Sequence, residues 1–90
     1  MFTIYLVRNR ANGKMYVGLT GRTVNRRFIQ HRSEARLGSE KYFHRAIRKY
    51  GEFAFDILPI WEGSDGQKAK QTEIEIISGL RLQDPNIGYN

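Results

Sequence analysis

Ninety residues suffice for one compact domain with a modest core, so residues 1–90 are read as a single domain. A formal net charge of +6 beside 40% hydrophobic residues describes a folded basic protein instead of a disordered tail, and it favours a polyanionic partner. The absence of cysteine excludes a disulfide framework, a thiolate zinc site and a cysteine nucleophile; no run is long enough to span a membrane, so no membrane partner is expected, and a cytoplasmic, intracellular location fits.

β-Branched and aromatic residues dominate Phe2 to Arg8, and Lys14 to Leu19 has the same character, so both segments are predicted to be strands. Asn12-Gly13 between them tolerates positive φ and predicts an antiparallel hairpin with a loop longer than two residues, which places Tyr5 and Tyr16 on paired strands. From Thr23 the periodicity becomes helical: Val24, Phe28, His31 and Ala35 share one stripe, Arg27 flanks it and Arg26 points nearly opposite. Ser39 is the expected N-cap of a second helix, with Tyr42, Phe43, Ala46, Ile47 and Tyr50 at helical spacing and Gly51 as its stop. Phe53 to Leu58 reads as a third strand, which Pro59 confines to a sheet edge or ends. A third helix starts near Asp65 or Gln67 and runs to Leu80, with Ala69, Ile74, Ile76, Ile77 and Leu80 on a broad apolar face; the tail after it carries turn residues.

Glu73 falls in the middle of that apolar face, whereas Glu75 points away from it. A carboxylate there must pair with a base, protonate, reach the helix edge or bind a cation, and for an arbitrary sequence an ion pair or an edge position is the commoner outcome. His31 on an apolar stripe has an equally plain reading as a half-buried core residue. Arg27 and His31 lie one helical turn apart and could reach a single phosphate together. The other basic residues of that helix, Arg22, Arg26, Arg32 and Arg36, read as solvated charges or contacts that track a nucleic-acid backbone.

Taken in order, Thr3-Ile4-Tyr5, Tyr16-Val17-Gly18, Arg27 followed by His31, Glu73 in a late helix and Gly88-Tyr89-Asn90 resemble the successive motifs of the GIY-YIG endonuclease family, and the resemblance spans nearly the whole chain. Thr3 stands where that family has glycine, Ile76 where it has an aromatic, and the interval from Tyr16 to Arg27 is about one residue longer, which predicts a differently shaped loop at Thr20-Gly21-Arg22.

The resemblance implies an α+β fold, a small antiparallel three-stranded sheet flanked by helices, and the activity of a metal-dependent DNA endonuclease like the catalytic domain of homing enzymes. Tyr5, Tyr16, Arg27, His31, Glu73 and Asn90 are the implied catalytic residues, and Glu73 is the implied metal ligand. A single protein carboxylate favours Mg2+, with Mn2+ able to substitute, in a one-metal mechanism. Either tyrosine could activate the water, Tyr5 being preferred, with Arg27 and the metal expected to lower its pKa; Arg27 would also stabilise the transition state, and Asn90 would orient Glu73 or the metal's waters. DNA is the implied partner, contacted also by Arg22, Arg26 and Arg32, with base recognition left to a separate domain or chain. The competing readings are a non-catalytic nucleic-acid-binding module on the same fold and a basic protein-interaction module using Trp61 and the aromatic second helix.

Overall fold

In the computed structural model, which describes residues 1–90, Phe2–Asn9 forms β1 and Met15–Thr20 forms β2, an antiparallel pair in which Tyr5 faces Gly18 and Val7 faces Tyr16. Gly13 at φ 77° and the Asn9 and Asn12 side chains, which accept from Ala11 N–H and Lys14 N–H, shape the connecting loop. β3, Phe55–Gly63, pairs antiparallel with the other side of β1, giving the order β2-β1-β3. The three strands and three helices make the expected α+β fold.

Three local expectations are corrected. The third strand does not begin at Phe53: Glu52–Ala54 is a 3-10 turn that leaves Phe53 82% exposed, and the strand then runs through Pro59 to Gly63. It continues because β3 is an edge strand and its register with β1 shifts between Ile4 and Tyr5, opposite Trp61 and Pro59, so proline's missing N–H falls at an irregularity. The second helix, α2, begins at Tyr42 and runs to Tyr50, so its N-cap is Lys41, without a side-chain bond, while Ser39 two residues earlier accepts from Lys41 N–H at 3.4 Å and bonds His44 Nδ1. In the third helix, α3, Gly66–Gly79, Ile74 and Leu80 are exposed. Ile74 sits about 140° round the helix from Ala69, and Leu80 lies beyond the last helical residue.

Alternation along the strands builds two cores, one on each face of the sheet. Tyr5 and Val7 pack with Phe28 and Ala35 of α1 (Val24–Arg36) and with Phe43, Ala46 and Ile47 of α2. Ile4 and Val17 on the other face pack with Leu82, and Trp61, Ile76 and Ile77 close over them. Trp61 is thus half-buried against this second core. The chain after α3 returns to the outer edge of β2, where Tyr89 N–H bonds Met15 O at 2.9 Å and Met15 N–H bonds Ile87 O at 3.3 Å. No helix is long and apolar enough to cross a membrane.

Candidate active site

Thr23 starts α1 by accepting from Arg26 N–H at 3.2 Å, and the helix then presents one flank, Arg27 and His31, to the tyrosines of β1 and β2. The Tyr5 hydroxyl bonds His31 Nε2 at 2.8 Å, and the Tyr16 ring lies edge-on to His31 and stacked on Phe43, with centroids 4.2 Å apart. A Cβ at Gly18 would overlap the hydroxyl and ring carbons of Tyr5, so only glycine lets the Tyr5 ring lie across β2. Tyr5 is fully buried, while Tyr16, Arg27, His31, Tyr42, His44 and Asn90 help to line an open cavity of about 400 Å³.

Arg27 is half-buried with its Nη1 wholly buried and unpartnered, whereas Arg26 is exposed. A buried guanidinium nitrogen without an acceptor is costly, and an incoming anionic oxygen would satisfy it. Arg22 and Arg26 line a shallow groove with Ile29 and Gln30, open to an extended anion. Arg32 is not available in the same way. It bonds Glu52 at 3.0 Å and lies over the Phe28 ring, one turn back on α1, so its charge is engaged within the fold.

Glu73 and Arg27 do not approach from one face, as both aiming at the sheet would suggest. α3 packs on the Ile4–Val17 side, α1 on the Tyr5 side, and the link between the two groups is that both charges act on Tyr16 of edge strand β2. The Glu73 side chain is 13% exposed, and its negative charge contributes to raising the Tyr16 pKa. Its ion pair with Lys70 at 3.3 Å involves a largely exposed ammonium that an incoming ligand can displace, while Glu75 is exposed and bonded to Gln71. One hard oxygen donor whose ion pair is displaceable suits a magnesium-type ion that keeps most of its waters. Asn90 does not reach for Glu73: its Oδ1 accepts from Val17 N–H at 2.9 Å and its Nδ2 donates to Val17 O at 2.7 Å, occupying the outer edge of β2.

Burial dominates the electrostatics. It raises the Tyr5 hydroxyl well above the ordinary phenol value, with Tyr16 adding to the rise and Arg27 only partly offsetting it; Tyr16 is raised for the same first reason. The expected lowering by Arg27 is thus outweighed by desolvation. His31 is pushed down to about 3 by burial and then by Arg27 and His44, so it is neutral at physiological pH.

His44, which no sequence motif marks, completes the buried cluster. Its Nε2 bonds His31 Nδ1 at 2.8 Å and its Nδ1 bonds Ser39 Oγ at 2.7 Å. The available signal was that the chain has only two histidines and that His44 sits next to Phe43 on the apolar side of α2. Glu34 lies 3.5 Å from His44 Nε2, so His31, Glu34 and His44 cluster closely. Two imidazole ligands of a tetrahedral zinc ion would stand about 3.3 Å apart, and the shorter 2.8 Å contact is that of a shared proton.

Fold and cavity together define a small α+β domain in which an arginine, two histidines and two tyrosines meet between α1, α2 and the β1–β2 hairpin. The profile of the GIY-YIG catalytic domain matches residues 1–85, and the chain belongs to that family. The catalytic domain of homing endonuclease I-TevI shares the fold with a TM-score of 0.81 at 24% identity, covering 100% of this chain and 97% of that one. A mutant of the catalytic domain of intron endonuclease I-TevI matches with the same score and identity, covering 100% of this chain and 93% of that one. Uncharacterized protein 019R of Invertebrate iridescent virus 6 is 33% identical over 57 residues, 63% of this chain and 20% of that protein, so the chain spans about a fifth of that relative's length.

Proposed function

We propose that this chain is a single catalytic domain that hydrolyses phosphodiester bonds in DNA as a metal-dependent endonuclease, acting on DNA inside the cell. The observation that carries the reading is the buried, unpartnered Arg27 nitrogen beside the cavity that Tyr16, His31 and Asn90 also line. The +6 charge, the exposed Arg22 and Arg26, and a fold shared with the catalytic domain of a homing endonuclease support DNA as the polyanion. With little surface left for base edges, sequence recognition falls to a separate domain or partner chain.

Each group then has a role. Arg27 binds the scissile phosphate and stabilises the charge that grows on its oxygens in the transition state. The tyrosine pair takes the proton from the attacking water, Tyr16 from the cavity wall and Tyr5 from behind it. Glu73 would hold a single Mg2+, for which Mn2+ would substitute; when bound, the ion supplies Lewis-acid charge for the phosphoryl and departing oxygens. Asn90 holds the β2 edge, and with it Tyr16, in register.

The test incubates the purified protein at low salt with supercoiled plasmid and Mg2+ or Mn2+, beside Glu73→Ala, Arg27→Ala and an EDTA control. Nicking or linearisation is expected, abolished by EDTA and lowered about 10²–10³-fold by Arg27→Ala. No cleavage of plasmid, branched or single-stranded DNA, with binding unchanged in Glu73→Ala, would replace this reading with a non-catalytic nucleic-acid-binding module.

A further inference from the structure

Tyr5, His31, His44 and Ser39 form one unbroken chain of hydrogen bonds, 2.8, 2.8 and 2.7 Å long, running from the sheet to the turn between α1 and α2. Both imidazoles are buried, 2% and 1% exposed, and each uses both ring nitrogens in the chain. A neutral imidazole donates through one nitrogen and accepts through the other, so fixing one tautomer fixes the next. If Tyr5 O–H donates to His31 Nε2, then His31 carries its proton on Nδ1 and gives it to His44 Nε2. His44 in turn carries its proton on Nδ1 and gives it to Ser39 Oγ. Such an arrangement leaves a bare nitrogen facing the phenol.

We infer that His44 is a positioning residue for the cleavage reaction: it holds His31 with Nε2 free, and it receives the proton that leaves Tyr5. The inference rests on the nuclease reading above. In the step, the attacking water gives a proton to the tyrosine pair and becomes hydroxide, and the Tyr5 O–H proton moves to His31 Nε2. The His31 Nδ1–H proton moves at the same time to His44 Nε2, leaving His31 neutral and His44 an imidazolium. One proton has left the water and one has arrived on His44, so the charges balance. The imidazolium keeps its Nδ1–H on Ser39 and faces the Glu34 carboxylate 3.5 Å from Nε2. Two imidazoles are needed because their surroundings differ. Burial lowers the pKa of both, but Arg27, His44 and Lys41 push His31 further down with no carboxylate opposing them, whereas at His44 the Glu34 carboxylate, 3.5 Å from Nε2, works against burial and against Lys41, Arg27 and Arg48.

The relay also resolves a difficulty posed by the tyrosines. A buried phenol that resists ionisation is a poor base if it must first lose its proton to solvent. Exchanging protons with His31 lets Tyr5 accept from the water side while it donates on the other, without existing as a free phenolate.

The experiment has two readouts. Imidazole 15N chemical shifts of the unsubstituted protein at neutral pH are expected to show both histidines neutral and protonated on Nδ1; His31 protonated on Nε2 would overturn the inference whatever the cleavage activity. Single-turnover cleavage as a function of pH is then compared for the unsubstituted protein, His44→Gln, His44→Leu and Glu34→Gln. Glutamine can accept from His31 Nδ1–H but cannot carry a proton onward, so His44→Gln is expected to keep the His31 tautomer and DNA affinity while the rate falls about 10²-fold. His44→Leu is expected to lose the tautomer as well. Glu34→Gln removes the charge that raises the His44 pKa, so the acid limb of the rate profile, where His44 is already protonated and cannot accept, is expected to move to lower pH. Rates and profiles unchanged in both His44 variants would overturn the inference and leave the nuclease intact, whereas no cleavage by the unsubstituted protein would remove the reaction on which it rests.

Discussion

The Tyr5 ring lies across the backbone of β2 because Gly18 opposite it has no side chain. A single methyl there meets the phenol ring and hydroxyl, in a well-packed sheet face where neither strand backbone can yield easily. Gly18→Ala is therefore expected to destabilise the fold by about 1–3 kcal/mol, as overpacking does, and to tilt Tyr5 away from His31. Urea unfolding and plasmid cleavage measure the two effects, and a variant of unchanged stability and rate would contradict the fit described for Tyr5. The same physics accounts for the tyrosine pKa values. Both phenols are desolvated before they are near any charge, so the positive field of Arg27 modifies a value that burial has already set.

Among the elements, β2 is exposed on its outer side, and an edge with free N–H and C=O groups invites pairing with other chains. Residues after α3 close it: Met15 pairs with Ile87 and Tyr89, and the Asn90 amide takes both polar groups of Val17. Asn90→Ala is expected to cost about 1–3 kcal/mol, the net worth of two hydrogen bonds, and Asn90→Asp to do no better because a carboxylate cannot donate to Val17 O. Melts that leave either variant as stable as the parent would argue against this bracing role. Periodicity and turn chemistry disclosed the β1–β2 hairpin, the α1 stripe and the orientation of Arg27, because each depends on neighbours within a few residues. The start of β3, the face of Ile74 and the engagement of Ser39 depend on partners distant in sequence, and local pattern carries no record of them. His44 escaped notice for that reason too: its meaning comes from His31, which reaches it only once α1 and α2 have packed.

At the scale of the whole molecule, two cores place α1 and α3 on opposite faces of one sheet, so Arg27 and Glu73, the groups proposed for phosphate and metal, come from different faces. The basic side chains are not evenly available, since Arg32 and Arg48 are engaged within the fold while Arg22 and Arg26 line an open groove. Arg27 and Arg32 each hold a buried nitrogen that nothing in the protein satisfies, but Arg32 is ion-paired with Glu52 while Arg27 lines the open cavity. Leaving such a donor unpaired works against the folded state by about 1–3 kcal/mol. Arg27→Met, which keeps the aliphatic stem and discards the guanidinium, is expected to raise the melting temperature by roughly 4 °C or more while abolishing cleavage; calorimetry showing a lower melting temperature would sink this expectation. The group poised for the phosphate would then be a standing strain on the resting enzyme, relieved only while substrate is bound. A lineage selected for sturdiness alone would discard this arginine early, and its persistence would register use.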